Sequence, residues 1–130
     1  MTSNGLLLFA HGARDARWAL PFAAVAARVL ALRPDCVVQL AFLEFMTPTL
    51  ASAGAALVAA GCTQIQVLPL FLGAGGHVRK DLPVLLQALR ETHPGVAFTL
   101  HQAVGELDSL IEAMAVAAAA ALDRGAAGPK

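Results

Sequence analysis

The stretch Gly5-Leu6-Leu7-Leu8-Phe9-Ala10-His11-Gly12 is the most informative in the chain. Gly5 to Ala10 carries no charge and no polar side chain, and the run then stops at an imidazole followed by glycine. So short an apolar run is what a strand buried on both faces looks like, and such strands belong to parallel sheets covered by helices. A strand wet on one side would alternate instead.

Phe22, Val25, Ala26, Val29 and Leu30 recur at the spacing of one helix face. Pro34-Asp35 breaks that pattern, and Cys36 to Leu43 reads as a second strand. Thr47-Pro48 reads as a helix start, with Thr47 as N-cap and Pro48 as the first helical residue. Leu50, Ala53, Leu57 and Val58 form the inner face of this helix, and Gly61 ends it. Thr63 to Leu70 is a third strand. After a loop from Phe71 to Val78, Leu82, Leu85, Leu86 and Leu89 mark a third helix that stops before Pro94-Gly95. Val96 to Leu100 is a short fourth strand. Glu106 to Asp123 is the last helix, with Leu107, Leu110, Ile111 and Met114 expected to face inward. Strands and helices therefore alternate, which predicts an α/β fold: a single domain with a largely parallel four-stranded sheet, helices on both faces and right-handed crossovers. The domain is expected to span residues 1–124, with 125–130 as a frayed tail.

Composition narrows the function. The chain has 130 residues, 9 basic and 9 acidic, with 58% hydrophobic and 14% charged. Disorder is excluded, and the apolar excess is mostly alanine, roughly a fifth of the chain. No basic face is available for phosphates, so no nucleic acid is expected as partner. The longest apolar stretch, Ala113 to Leu122, is about half of the ~20 residues that a membrane span needs, so no membrane is expected either. No basic region precedes the first apolar run, so it does not read as a signal peptide. Cys36 and Cys62 fit neither a disulfide scaffold nor a metal site; they read as reduced thiols in a cytoplasmic protein.

In an open parallel sheet, ligands bind beyond the carboxyl ends of the strands. His11, Glu44, the segment Gly73 to His77, and His101 all fall there. His93 instead closes the third helix, where an imidazolium suits the negative end of the dipole. Two loops stand out: His11-Gly12-Ala13-Arg14-Asp15 and Gly73-Ala74-Gly75-Gly76-His77-Val78-Arg79-Lys80-Asp81. Each sets an imidazole beside glycine, where a backbone can approach a bulky ligand. Arg14, Arg17, Arg79 and Lys80 place four cations of a neutral chain at these loops, which points to an anionic ligand. Glu44, between Leu43 and Phe45, is either a buried ion-pair partner or a working carboxylate. His101 is more readily structural, and Trp18 reads as packing. The glycines at 73, 75 and 76 lack the Gly-Lys-Ser/Thr ending of a phosphate loop, and no nucleophile elbow or HExxH helix occurs.

These loops carry a resemblance. Leu7 to Asp15, then Phe42-Leu43-Glu44, then Pro69 to Pro83 resemble the CbiX family of class II chelatases, which are sirohydrochlorin cobaltochelatases related to siroheme ferrochelatases. The Pro69–Pro83 stretch is its specific part, and Ala13 departs from it, since relatives often have Ser there. The resemblance implies ATP-independent insertion of a divalent metal, Co²⁺ or else Fe²⁺ or Ni²⁺, into sirohydrochlorin, in cobalamin or siroheme biosynthesis. No cofactor beyond that substrate metal is implied. His11 and His77 match the family's active-site histidines, and Glu44 a frequent acidic position near the metal. The chemistry suits them, because imidazole and carboxylate bind first-row divalent metals and accept protons at neutral pH. Which histidine is base and which is ligand is left open. Arg14, Arg79 and Lys80, with the N–H groups of Gly75 and Gly76, are expected to hold the substrate's carboxylates. The short length resembles family members in which two identical chains form the cleft, so a homodimer with its active site between subunits is expected.

Two other readings compete. A non-catalytic metal or tetrapyrrole carrier would use the same residues. A phosphoryl-transfer enzyme with His11 as nucleophile would want an arginine where Ala10 stands.

Overall fold

The computed structural model describes residues 4–73 and 75–126, with the side chains of His77 and Ala126 outside the described set. Four strands, β1 (Asn4–Ala10), β2 (Val37–Phe42), β3 (Gln64–Pro69) and β4 (Ala97–Leu100), form one sheet in the order β2-β1-β3-β4. Every pairing is parallel, with Leu8 opposite Leu40 on one side and Leu68 on the other. The order explains the opening run: β1 is central, so Leu7, Leu8, Phe9 and Ala10 are all buried.

Four helices follow the strands: α1 (Leu20–Leu32), α2 (Leu50–Ala59), α3 (Gly76–Thr92) and α4 (Asp108–Ala126). The step from β1 to β2 runs one way across the sheet, and the steps to β3 and β4 run the other. Right-handed crossovers therefore set α1 on one face and α2 and α3 on the opposite face. The core lies on the second of these. Leu7, Phe9, Ile65, Val67 and Phe98 meet Leu50, Leu57, Leu82, Leu86 and Leu89 there.

Strand ends fall within a residue of expectation, but three helical expectations are corrected. First, α2 begins two residues later than Thr47-Pro48 suggested. The Pro48 carbonyl accepts from the Phe42 N–H at 2.9 Å, so that pair prolongs the edge of β2. Thr49 is the cap. Its Oγ1 accepts from the Ser52 N–H at 3.2 Å, while Ser52 Oγ accepts from the Thr49 N–H at 3.0 Å, a reciprocal capping box. Second, α3 begins at Gly76 rather than after Val78, so His77, Arg79 and Lys80 sit in or beside its first turn. The glycines are its N-terminal lead and Gly75 its cap, not one long loop.

Third, the inner face assigned to α4 is not inside. Leu107 and Leu110 are half-buried, but Ile111 and Met114 are exposed, as is every residue from Ile111 to Gly125. Helical periodicity states that one side is apolar; it does not state what covers it. Val25 and Leu30 of α1 are likewise exposed, while Phe22, Ala26 and Val29 are half-buried. α4 runs through Ala126, two residues past the expected domain boundary, and the rest of the expected tail, 127–130, lies outside the described residues.

Candidate active site at the strand ends

His11 and Glu44 leave the sheet from adjacent parallel strands, and the pairing continues past the strand ends. The Leu43 N–H donates to the Ala10 carbonyl at 2.9 Å, and the Glu44 N–H to the His11 carbonyl at 3.1 Å. Gly12 closes the join. Its φ is +98°, and a Cβ there would lie 1.9 Å from the Glu44 carbonyl oxygen, so only glycine fits. The backbone thereby sets the two side chains together, with His11 Nε2 3.2 Å from Glu44 Oε1. The buried Phe71 ring lies beside the His11 ring in a T-shaped contact, their centroids 6.0 Å apart.

Glu44 is not the buried ion-pair partner that its apolar neighbours allowed for. Its side chain and that of His11 are each 49% exposed, so a ligand can reach both. Such a pair can share a proton, and its nitrogen and carboxylate oxygens are donors for a divalent cation. Among the described residues no three histidine, cysteine, aspartate or glutamate side chains gather as a metal site. The His77 side chain lies outside the described residues; its backbone is in the first turn of α3.

The remaining candidates surround this pair. Arg14 lies over the Phe45 ring, 4.7 Å from its centroid. Phe45 was not singled out from the sequence, yet it follows Glu44 directly, is exposed, and has φ +67°, an uncommon conformation for an aromatic residue. Its only sequence signal is an aromatic side chain in a loop just past a strand. Arg79 Nη2 lies 3.6 Å from Glu106 Oε1, in an exposed pair that bridges α3 to the turn before α4. Glu106 carried no local signal, because only the fold brings it near residue 79. Lys80 is exposed. A Cβ added at Gly73, Gly75 or Gly76 would meet nothing within 4 Å, so the surrounding protein does not demand these glycines.

His101 continues the β3–β4 pairing through its N–H, which donates to the Val67 carbonyl at 2.9 Å, and its Nε2 lies 2.6 Å from Gln66 Oε1. Between His101, Arg79, Glu106 and Phe71 opens a cavity of about 220 Å³. His93 caps α3 at its C-terminus, as expected, with its ring against Phe98. Trp18 packs on Phe22 at 4.6 Å and toward Phe42 at 6.4 Å. Among the described residues no helix is long and apolar enough to cross a membrane.

Comparison with known proteins identifies the family and the fold. The family model CbiX matches residues 5–121. A sirohydrochlorin cobaltochelatase of Methanococcoides burtonii is 33% identical over 96 residues, 70% of each chain. That of Saccharolobus solfataricus is 36% identical over 85 residues, covering 63% of this chain and 62% of the relative. The crystal structure of a cobalamin (vitamin B12) biosynthesis CbiX protein from Marinobacter aquaeolei VT8 superposes with TM-score 0.82 at 31% identity, over 93% of this chain and 98% of that one. The sirohydrochlorin chelatase SirB from Bacillus subtilis subspecies spizizenii, solved in complex with cobalt, superposes with TM-score 0.75 at 26% identity. That match covers 87% of this chain but 48% of SirB, so the chain spans about half of SirB's length.

Proposed function

The chain belongs to the CbiX family, and from that premise we propose that it is a metal chelatase inserting a divalent cation, Co²⁺ foremost, into sirohydrochlorin without ATP. The observation that carries the reading is the His11–Glu44 pair, held at 3.2 Å on an open strand-end edge by a glycine that nothing else can replace.

Metallation brings two positive charges into the ring and releases two pyrrolic protons. His11 Nε2 offers a lone pair for a proton or for the incoming cation, and the Glu44 carboxylate beside it stabilises the imidazolium that forms. In this reading His77, next to the glycines at the start of α3, works with His11 from the neighbouring strand end. Arg14, Arg79 and Lys80, with the N–H groups of Gly75 and Gly76, hold the substrate's carboxylates, and the exposed Phe45 offers a flat apolar surface to the macrocycle. Two copies of the chain form the cleft, since one copy supplies one sheet and one such edge. The product enters cobalamin or siroheme biosynthesis.

The test is anaerobic incubation of the purified protein with sirohydrochlorin and Co²⁺, Fe²⁺ or Ni²⁺ in turn, followed by visible spectroscopy against a no-enzyme control. Metallation faster than the control, fastest with Co²⁺, supports the reading. A spectral shift on binding, with metallation no faster than the control, replaces it with a carrier.

A further inference from the structure

Gly105 lies in a short 3₁₀ turn, Val104–Glu106, between β4 and α4. Its N–H donates to the Phe71 carbonyl at 2.9 Å. A Cβ built on Gly105 would lie 1.8 Å from the Leu72 carbonyl oxygen and 2.4 Å from the Leu72 Cα, so no side chain fits. Those are backbone atoms, which cannot swing aside as the end of a flexible side chain can. The turn therefore seats directly on the first residues of the segment that leads from β3 to α3.

The backbone at Phe71 is tied on both sides. Toward β1, the Leu70 N–H donates to the Phe9 carbonyl at 2.7 Å; toward β4, the Phe71 carbonyl accepts from Gly105. The Phe71 ring makes T-shaped contacts with the rings of Phe9 and His11, each 6.0 Å away between centroids. Packing alone does not fix that ring, because the cavity of about 220 Å³ opens beside it, lined also by Leu82, Ala103 and Glu106. If the turn shifted, Phe71 would have room to follow. His11 has few restraints of its own. Its side chain is 49% exposed, with Glu44 at Nε2 and the Phe71 ring beside it.

We infer that Gly105 is a positioning residue for the reaction: by setting the Phe71 backbone, it sets the ring against which His11 is oriented. The inference rests on the chelatase reading, in which His11 takes up a proton or the cation. A lone pair works only where it meets the reacting atom, and a displacement of about 1 Å can cost on the order of 100-fold in rate. Glu44 meets one nitrogen of the imidazole and Phe71 meets the ring, so together they restrain its direction and its tilt. Two close approaches thus converge on one side chain. Gly12 brings Glu44 to His11, and Gly105 brings Phe71 to it.

The test reads the His11 ring and the metallation rate on the same proteins. The proton on His11 Cε1 gives a magnetic resonance signal, identified by its absence in His11→Ala, and the Phe71 ring current makes it sensitive to their geometry. Gly105→Ala is expected to move that signal at constant pH. It is also expected to lower kcat for Co²⁺ insertion by about 10–100-fold, with the fold retained by circular dichroism. Gly95→Ala, at the other end of β4, is the control: a Cβ there meets nothing, and both readouts should keep the parent values. Phe71→Leu removes the ring and leaves Gly105 in place, so kcat should fall with little change in KM. That variant carries the test if Gly105→Ala does not fold. A folded Gly105→Ala protein with either readout at the parent value overturns the inference, and so does an unchanged kcat in Phe71→Leu. A parent chain that does not metallate sirohydrochlorin overturns the chelatase reading instead. The signal, recorded without substrate, still decides then whether Gly105 seats His11.

Discussion

His11 Nε2 and Glu44 Oε1 stand 3.2 Å apart because β1 and β2 are neighbours in a parallel sheet and their hydrogen bonding runs on beyond the strands. Thirty-odd residues of sequence separate them, so no local motif joins them. What joins them is strand order together with the single close approach at Gly12.

That close approach gives the first prediction. Gly12→Ala forces a Cβ against the Glu44 carbonyl at a positive φ and should cost about 1–3 kcal/mol of stability or more. Metallation should fall with it, as the two side chains are pushed apart. Gly75→Ala is the contrast: its Cβ meets nothing, so chemical denaturation should show only the smaller cost of a poorer helix cap, about 0.5–1 kcal/mol. If the substrate approaches that backbone, KM alone should rise.

Glu44→Gln keeps the shape of the side chain and removes its charge. The imidazolium at His11 then loses its neighbouring anion, and turnover should drop by about 10–100-fold while the substrate KM changes little. Steady-state kinetics decides this, and an unchanged kcat would remove Glu44 from the chemistry.

How much of this was legible follows from what sequence records. Buried strands announce themselves, so β1 to β4 and their parallel order of connection could be read from apolar runs and breaks. The start of α2 could not be placed, because Thr47-Pro48 and Thr49 both carry capping signals and only the Phe42–Pro48 hydrogen bond decides between them. The strand-end histidines were legible from topology. The exposure of Glu44 and the stacking of Arg14 on Phe45 were not, since both depend on loop backbone that no periodicity describes. The bare face of α4 was misread for a related reason: an apolar stripe implies a partner and leaves open whether that partner is in the same chain.

Arg79 sits beside the glycine lead-in of α3, and its contact with Glu106 is an exposed pair worth little to stability, below about 1 kcal/mol. Arg79→Ala should therefore leave the thermal midpoint nearly unchanged. The KM for sirohydrochlorin should rise several-fold, and its dependence on ionic strength should weaken. A changed midpoint with an unchanged KM would assign Arg79 to the fold instead.

The two thiols should separate by reactivity. Cys62 is 1% exposed, and burial pushes its thiol pKa up, so it stays neutral and unreachable in the native state. Cys36 is half-buried, with its Sγ donating to the Arg33 carbonyl at 3.1 Å. A chromogenic disulfide reagent at pH 8 should modify Cys36 first and Cys62 only on unfolding. By the same shift, the stability that the neutral Cys62 contributes is present below the ordinary thiol pKa of about 8.5 and lost as pH rises through its raised folded value.

The measurement closest to the central claim is the anaerobic rate of Co²⁺ insertion into sirohydrochlorin by the parent chain and by His11→Ala, with folding of both checked by circular dichroism. The expected result is a parent rate well above the uncatalysed control and a loss of about 100-fold or more in the variant, with the fold intact. A folded His11→Ala protein that inserts cobalt at the parent rate would contradict the account.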